Sequence, residues 1–209
     1  MKTGEYYVLE GQDGTGKSTY AEDLGKLFQT RGKKVVIFHE PDGDLPSAQK
    51  LREIIKDKQY DLDARTHVLL FTAARNELWR KLAVPCLDEG GIVISARNWW
   101  STLAYQGYGQ GVNQDLIAHI TKGCLPDSYL YPTKSVILTL DDDERIKRLG
   151  HRDNNSSKDT FESKDSEFQK KVTNAYWQIA SDYGIPTIDA AGSIEEVFQK
   201  ILTLFSIPS

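Results

Sequence analysis

The chain has 209 residues, a length typical of one generous domain or two small ones. Hydrophobic residues make up 39% of it and charged residues 27%, which excludes a disordered polar chain and a fibrous repeat. The 26 basic and 30 acidic residues give a net charge of −4. Proteins that bind duplex nucleic acid usually have a surplus of basic residues, so the charge argues against that class of partner.

The two cysteines, Cys86 and Cys124, have neither metal-ligand spacing nor the pattern of a disulfide framework, so we expect reduced thiols. The amino-terminal residues lack the apolar core of a secretory signal. No run approaches the roughly 20 apolar residues needed to span a bilayer. We therefore expect a soluble, cytoplasmic protein with no membrane partner.

Short runs of apolar, often β-branched residues alternate along the chain with longer helix-periodic stretches. The short runs predict strands at 6–9, 35–38, 92–94, 135–140 and 187–188. The periodic stretches predict helices at 17–30, 62–82, 116–122 and 194–204. Strands that are apolar on both faces and separated by helices favour an α/β fold with a covered parallel sheet. Without a repeat or a Pro/Ser-rich linker, residues 1–209 are expected to form a single domain.

A complete G-x-x-x-x-G-K-[ST] motif lies between the first predicted strand and the first predicted helix, the context in which it binds phosphate. Its glycines let backbone N–H groups point at phosphate oxygens, and the helix adds its positive end. Lys17 can reach the β- and γ-phosphates, and the Ser18 hydroxyl can ligate Mg²⁺. The motif thus predicts a nucleoside triphosphate site, formed by Gly11, Asp13, Gly14, Thr15, Gly16, Lys17, Ser18 and Thr19.

Further motifs, spread along almost the whole chain, resemble those of the thymidylate kinase family. His39-Glu40-Pro41 resembles an Arg-Glu-Pro signature after the second strand, and Leu51-Arg52 resembles a segment with a downstream arginine. Residues 69–75 are similar to a Leu-Leu-Phe-x-x-x-Arg helix. Residues 96–106 are similar to Asp-Arg-x-x-x-Ser-x-x-Ala-Tyr-Gln, and residues 187–197 resemble the family's ending. The segment from 97 to 106, together with the phosphate motif, is the specific part of the likeness.

The resemblance implies a three-layer P-loop NTPase fold, whose five-stranded parallel sheet has the order 2-3-1-4-5 and helices on both faces. It implies a kinase that uses ATP and Mg²⁺ to convert dTMP into dTDP, with ADP as the other product. It also implies a homodimer that packs through helices near residues 62–82. A kinase for another pyrimidine or a modified deoxynucleoside monophosphate is the alternative.

Phe71 and Arg75 are four residues apart on a predicted helix, so they share one face. A flat ring beside a planar fork of donors suits a pyrimidine, and the resemblance implies that Phe71 stacks under thymine while Arg75 binds its O4. By the same likeness, Arg52 and Arg97 bind the acceptor phosphate, and Tyr105 crowds the sugar 2′ carbon. The resemblance adds four substrate-binding residues: Asp13, which accepts from the sugar 3′-hydroxyl, Glu40, Ser101 and Gln106.

The polar stretch 151–159 lies between two predicted helices and resembles the lid of the family, which we place at about 148–162. Arg148 and Arg152 flank the stretch and can bring positive charge over the phosphates. Gly14 stands where one branch of the family has an arginine, which indicates the branch whose lid supplies it. The predicted catalytic residues are Lys17, Arg97, Arg148 and Arg152.

Two residues depart from the family pattern: Ala96 replaces an aspartate and His39 replaces an arginine. Alanine can neither ligate a metal nor accept a proton. Three alternatives follow from these departures. The chain is an active kinase in which a carboxylate such as Glu40 or Asp13 holds the hydrated metal, or it is a slow or differently specialised kinase. In the third alternative, it binds nucleotides without phosphoryl transfer. We favour the active kinase, because phosphoryl transfer relies chiefly on positioning and charge neutralisation. The residues at 98–100 either select a different acceptor shape or pack a helix start.

Overall fold

The computed structural model describes residues 4–152 and 166–208, with the side chains of 151 and 152 left out. Five parallel strands form one sheet in the order β2-β3-β1-β4-β5. Their bounds are β1 Glu5–Gly11, β2 Val35–His39, β3 Ile92–Ala96, β4 Lys134–Thr139 and β5 Thr187–Asp189. This confirms the expected parallel sheet and its strand order.

Helices cover both faces of the sheet. Their bounds are α1 Lys17–Thr30, α2 Pro46–Lys56, α3 Ala64–Leu78, α4 Val84–Asp88, α5 Trp99–Thr102, α6 Gln114–Cys124, α7 Asp127–Leu130, α8 Asp142–Arg152, α9 Ser166–Tyr183 and α10 Ile194–Phe205. Two π-helical segments, Trp79–Ala83 and Leu103–Gly109, follow α3 and α5 directly. Among the described residues, no helix has the length and apolar character needed to cross a bilayer.

Successive residues of β1 belong to different cores, because side chains alternate across a strand. Tyr6 and Val8 pack in the core on one face, together with residues of α3, α6 and α9. Tyr7 and Leu9 pack in the core on the other face, with residues of α1 and α10. The molecule is therefore built in three layers, as a P-loop NTPase fold requires.

The long helix predicted over 62–82 is present, but it is not a regular α-helix throughout. The segment is α-helical from Ala64 to Leu78, π-helical from Trp79 to Ala83, and α-helical again from Val84 to Asp88. Pro85 has no N–H to donate to the carbonyl four residues back, so the regular ladder cannot continue through this point. A π-helical turn accommodates the missing bond.

The carboxyl ends of the three strands β1, β2 and β3 meet at one edge of the sheet. Ala96 lies in register with Leu9 on one side and with His39 on the other. In parallel sheets, the loops that follow the strands open at this edge, where ligands bind. The edge therefore brings together the phosphate motif after β1, the Glu-Pro segment after β2 and Arg97 after β3.

Candidate active site

The phosphate loop, residues 11–19, joins β1 to α1 with a backbone that only glycine adopts readily. Gly14 and Gly16 have φ angles of 88° and 87°, in the left-handed region. A Cβ atom at Gly16 would lie 2.8 Å from the Tyr20 ring, so a side chain has no room there. The loop ends at α1, whose amino terminus contributes backbone N–H groups and a partial positive charge to the cleft.

Lys17 lies over the phosphate loop and is almost fully buried. Its Nζ donates to the Gln12 carbonyl at 2.6 Å, and the Thr15 hydroxyl donates to the same oxygen at 2.9 Å. Ser18 and Thr19, in the first turn of α1, are exposed. Lys17, Ser18 and Thr19 all face one cleft.

This cleft has a volume of about 650 Å³ and opens at the carboxyl edge of the sheet. It is lined by the loop at one end and by α3 and the segment after β3 at the other. Cationic side chains dominate its charged lining: Lys17, Arg52, Lys56, Arg75, Arg97 and Arg148, against Asp13 and Glu40. Five of the six cationic side chains that the sequence predicts for the site, namely those of Lys17, Arg52, Arg75, Arg97 and Arg148, therefore lie together in a cleft suited to anionic ligands. The side chain of the sixth, Arg152, is outside the described residues.

Arg97 follows β3 directly and lies between the loop and α5. Its guanidinium forms an ion pair with Asp13 and donates to Ser101 Oγ at 3.0 Å and to the Gly11 carbonyl at 3.3 Å. The guanidinium carbon lies 5.5 Å from the centre of the Tyr105 ring, and the Tyr105 hydroxyl donates to Asp13 Oδ2 at 3.0 Å. Residues predicted from separate motifs thus form one bonded cluster.

The protonation states in this cluster follow from burial and charge. Burial alone would raise the pKa of the Asp13 carboxyl, but the charges of Arg97 and Lys17 outweigh it and hold that pKa well below its usual range. Burial, reinforced by the Asp13 charge, raises the pKa of the Tyr105 phenol far above its usual range. At neutral pH, Asp13 is therefore an anionic acceptor and Tyr105 a hydrogen-bond donor.

At the other end of the cleft, Arg75 on α3 is held from three sides. It donates to Glu40 Oε2 at 2.6 Å, to Thr102 Oγ1 at 2.7 Å and to the Asn98 carbonyl at 3.1 Å. Its guanidinium carbon lies 5.5 Å from the centre of the Phe71 ring, so the two side chains share a face of α3, as the spacing predicts. Phe71 is half-buried and faces the cleft.

The Arg75–Glu40 pair is deeply buried, with 3% and 1% of the two side chains exposed. Tyr129 also donates its hydroxyl to Glu40 Oε2, at 2.9 Å. Burial nevertheless raises the pKa of the Glu40 carboxyl, although Arg75 acts in the opposite direction. Glu40 therefore fixes the orientation of Arg75 within the wall of the cleft.

The remaining predicted residues that the structure describes, Arg52, Gln106 and Arg148, also line the cleft. Arg52 lines the cleft and pairs with Asp42 at 3.2 Å, and the buried Gln106 also faces the cleft. Arg148 lines the cleft too and donates to the Ala190 carbonyl at 3.2 Å. It belongs to α8, so residues 148–152 of the predicted lid are helical. The rest of the predicted lid, 153–162, lies outside the described residues.

A sequence profile of the family described as "Thymidylate kinase" matches residues 9–201, a span that includes every cleft residue named above. The chain belongs to the thymidylate kinase family. The thymidylate kinase of Chlorobaculum parvum is 36% identical to it over 204 residues, 94% of this chain and 93% of that protein. The thymidylate kinase of Caldicellulosiruptor saccharolyticus is 31% identical over 199 residues, 95% and 94% of the two chains.

Solved structures agree. The crystal structure of thymidylate kinase from Ehrlichia chaffeensis superposes with a TM-score of 0.76 at 25% sequence identity, covering 98% of this chain and 99% of that one. Membership in the thymidylate kinase family makes the chain an ATP-dependent nucleotide kinase, a transferase of nucleotide biosynthesis.

The two departures from the thymidylate kinase pattern are neighbours in this structure. His39 and Ala96 are paired in register on β2 and β3, and both line the cleft. The His39 Nε2 atom lies 3.2 Å from a carboxylate oxygen of Glu22 on α1. Trp99 and Trp100, by contrast, are buried against Tyr183 at the start of α5 and are not among the residues that line the cleft.

Sequence reasoning missed several residues that support the thymidylate kinase cleft. Glu10, Thr102 and Tyr176 are buried and bond to the predicted site residues. A charged residue between the apolar run 6–9 and the phosphate motif was a signal that could have identified Glu10. Tyr176 lies 166 residues from Glu10 along the chain, and local patterns carry no information on such a contact.

Proposed function

We propose that this chain transfers the γ-phosphoryl group of ATP to dTMP, giving ADP and dTDP. The observation that carries the proposal is the bonded Asp13–Arg97–Tyr105 cluster, which lies in one cleft between the phosphate loop and the Phe71–Arg75 pair. Along the cleft, such an arrangement offers a site for the triphosphate, then a cationic site for the acceptor phosphate, and then an apolar surface on which a flat base can stack.

Arg75 and Phe71 would recognise the base. An arginine side chain has five N–H donors, and three of them are used by Glu40, Thr102 and Asn98. Two remain for a ligand, and because they can only donate, they favour a carbonyl such as O4 of thymine over the amino group of cytosine. Phe71 provides the flat apolar surface on which the ring stacks.

Arg97 and Arg52 would bind the acceptor phosphate, since both line the cleft and carry guanidinium groups suited to phosphate oxygens. Tyr105 would restrict the space at the sugar 2′ carbon. Asp13, held ionised by Arg97 and Lys17, would accept a hydrogen bond from the sugar 3′-hydroxyl. Ser101 and Gln106 complete this part of the lining.

In the proposed reaction, an oxygen of the dTMP phosphate attacks the γ-phosphorus in line, and the bond from that phosphorus to the β–γ bridging oxygen breaks. Lys17 exchanges the Gln12 carbonyl for β- and γ-phosphate oxygens, so its charge acts where negative charge develops. Arg97 and Arg148 spread the remaining charge, with Arg152 a further predicted source. No side-chain nucleophile is needed, because the acceptor phosphate is itself nucleophilic.

The residues of the cleft are suited to Mg²⁺. The exposed Ser18 hydroxyl stands at the first turn of α1, and the Asp13 and Glu40 carboxylates line the same cleft. In the described part of the chain, no group of three or more His, Cys, Asp or Glu side chains could hold a metal ion. Mg²⁺ that accompanies a nucleotide is usually held by one or two protein ligands together with phosphate oxygens and water. Ser18 would be its direct protein ligand, with a carboxylate acting through water. The ion would neutralise charge on the β- and γ-phosphates.

A coupled assay of ADP release tests the proposal with dTMP, dUMP, dCMP and dAMP as acceptors. We expect turnover with dTMP, weaker turnover with dUMP and little with the two amino-substituted bases. Lys17→Ala, purified in parallel, controls for contaminating kinases and should be inactive. Turnover with dCMP above dTMP would favour the alternative of a kinase for another nucleotide, and absence of turnover with every acceptor would overturn the proposal.

Ala96 is the observation that favours a second candidate, a protein that binds nucleotides without efficient transfer. Ala96→Asp restores the carboxylate and separates the two possibilities. If the natural site is complete, kcat with dTMP should change by less than about threefold, under 1 kcal/mol of activation free energy. A gain of about 100-fold or more would instead show that the natural chain is impaired at this position.

We further propose that residues 1–209 form a single domain and that the chain acts as a homodimer in the cytoplasm. Leu69 on α3 supports the dimer, because 55% of this apolar side chain is exposed in the region expected to pack against a second copy. Cys86 and Cys124 are both free thiols, as a reducing compartment favours.

A further inference from the structure

Glu10 ends the apolar run of β1 with a fully buried carboxylate, 0% exposed. Its Oε1 atom accepts from the Asn98 N–H at 2.6 Å and from the Ser101 N–H at 3.1 Å. Its Oε2 atom accepts from the Gly11 N–H at 3.1 Å, from the Ser101 hydroxyl at 2.8 Å and from the Tyr176 hydroxyl at 3.1 Å. A buried carboxylate is costly unless it is bonded, so this one is firmly fixed.

The two N–H groups that donate to Glu10 Oε1 belong to the start of α5. Asn98 is the amino-terminal cap residue of α5, but its own side chain accepts no bond from the first turn. Glu10 supplies a side-chain acceptor from the neighbouring strand, the role that a capping side chain normally has. At the Ser101 N–H it shares this role with the Asn98 carbonyl, which is also 3.1 Å away. It thereby fixes the helix that carries Ser101 and, in the next turn, Tyr105.

The two hydroxyls that donate to Glu10 Oε2, those of Ser101 and Tyr176, connect Glu10 to Arg97. A hydroxyl has one proton, so when Ser101 and Tyr176 donate to Glu10, their lone pairs are left to accept from another group. Arg97 Nη1 donates to both, at 3.0 Å to Ser101 Oγ and at 3.4 Å to the Tyr176 oxygen. Ser101 Oγ and the Tyr176 oxygen also lie 3.0 Å apart, and either hydroxyl can donate to the other. Glu10, Ser101 and Tyr176 therefore form one hydrogen-bonded network that faces the guanidinium.

Glu10 also holds the phosphate loop. Its bond to the Gly11 N–H fixes the first residue of the loop, and the Gly11 carbonyl in turn accepts from Arg97 Nη1 at 3.3 Å. One carboxylate thus contacts the loop on one side and, through two hydroxyls, the Arg97 side chain on the other.

We propose that Glu10 is a positioning residue that fixes Arg97 relative to the phosphate loop, and so aligns the acceptor phosphate with the γ-phosphate of ATP. Ser101 and Tyr176 transmit this constraint. The inference rests on the proposed function, because it takes Arg97 to bind the acceptor phosphate. A misplacement of about 1 Å between reacting groups can cost about 100-fold in rate.

Glu10→Gln tests the role with little change in volume. Its amide replaces one acceptor oxygen with a donor, so at least one of the five donors loses its partner. We expect kcat with dTMP to fall about 100-fold, while the KM for ATP changes less than about threefold. In an Arg97→Lys background, the same substitution should lower kcat by less than about threefold, because Glu10 acts through Arg97.

Tyr176→Phe keeps the aromatic ring and removes one of the two hydroxyls that connect Glu10 to Arg97. It therefore provides a second test of the proposal if Glu10→Gln folds poorly. It should lower kcat by about tenfold with the KM for ATP unchanged. Tyr7→Phe is the matched control. Tyr7 on β1 is as deeply buried as Tyr176 but packs in the core on the opposite face of the sheet, so kcat should not change. Thermal unfolding verifies that each variant is folded.

The same double-substitution cycle is measured on dTMP affinity by calorimetry, so it has a readout that needs no turnover. Non-additive effects of Glu10→Gln and Arg97→Lys support the positioning role. Additive effects, or a loss confined to the KM for ATP, would overturn it while leaving the proposed function intact. Absence of turnover in the wild-type chain would instead overturn the proposed function, and the affinity cycle would still decide the role of Glu10.

Discussion

Arg97 has a φ of 86°, a left-handed conformation that costs a non-glycine residue about 1 kcal/mol. Its backbone N–H donates to the Leu9 carbonyl at 2.9 Å, and its side chain pairs with Asp13. Such conformations persist only where the surrounding contacts over-determine them, and they concentrate at functional sites. The local cost at Arg97 is therefore consistent with a residue placed for binding phosphate.

Removal of Arg75 should be more harmful to stability than removal of an exposed arginine. Arg75→Ala leaves the Glu40 carboxylate buried without its cationic partner, so we expect the free energy of unfolding to fall by about 3 kcal/mol. Arg80, which pairs with Glu77 at 2.9 Å on the surface, provides the control. Arg80→Ala should cost less than about 1 kcal/mol in the same urea titration. Equal losses would contradict the assigned burial of the Arg75–Glu40 pair.

Asp13 should make stability depend on acid pH. Its pKa in the folded chain lies below the ordinary value of 3.8, so the ionised form contributes stability that is present above that value and is lost as the pH falls further. The wild type should therefore exceed Asp13→Asn in free energy of unfolding at neutral pH. The difference should shrink as the pH falls below about 4. A difference that stays constant or grows on acidification would contradict the ion pair with Arg97.

At the scale of the elements, both ends of α1 are flanked by glycines in the left-handed region, with φ angles of 87° at Gly16 and 71° at Gly32. Alanine at Gly32 should lower the free energy of unfolding by about 1 kcal/mol, and alanine at Gly16 should lower it by more, because the added Cβ also clashes with the Tyr20 ring. Only Gly16→Ala should also weaken ATP binding, because Gly16 is part of the phosphate loop and its added Cβ meets the Tyr20 ring of α1, whereas a Cβ at Gly32 meets nothing within 4 Å.

Calorimetric titration with ATP distinguishes the two variants. We expect at least about a tenfold loss of affinity for Gly16→Ala, or 1.4 kcal/mol. Gly32→Ala should bind ATP like the wild type. Equal affinities of the two variants would show that the conformation of the loop is not what creates the site.

The elements that sequence predicts best are those whose signal is local. β1, the phosphate loop and α1 follow from an apolar run, a glycine motif and a helical period within 30 residues. The interruption between α3 and α4 follows from Pro85 but depends on how the π-helical turn packs, which periodicity does not report. Glu40 and Arg75 were each identified as site residues, yet their buried pairing joins positions 35 residues apart. A local signal marks Glu10 as unusual, but its capping of α5 joins two elements that are far apart in sequence, so no local pattern predicts that contact.

At the scale of the whole molecule, Leu69 should be part of the dimer contact. Leu69→Glu would place a charge in an apolar interface, so we expect sedimentation to shift from dimer to monomer. Ile146 on α8 is the control, because 60% of it is exposed outside the expected contact. Ile146→Glu should leave the dimer intact. A wild type that sediments as a monomer would contradict the proposed assembly.

β1 lies at the centre of the sheet, with β3 bonded along one edge and β4 along the other, while β2 and β5 form the outer edges. The phosphate loop and Glu10 both belong to the carboxyl end of this central strand. Its amide hydrogens should exchange with deuterium only through opening of the entire fold, whereas those of the edge strands can exchange by local fraying. On heating, the capacity to bind ATP should therefore disappear together with the sheet and not before it.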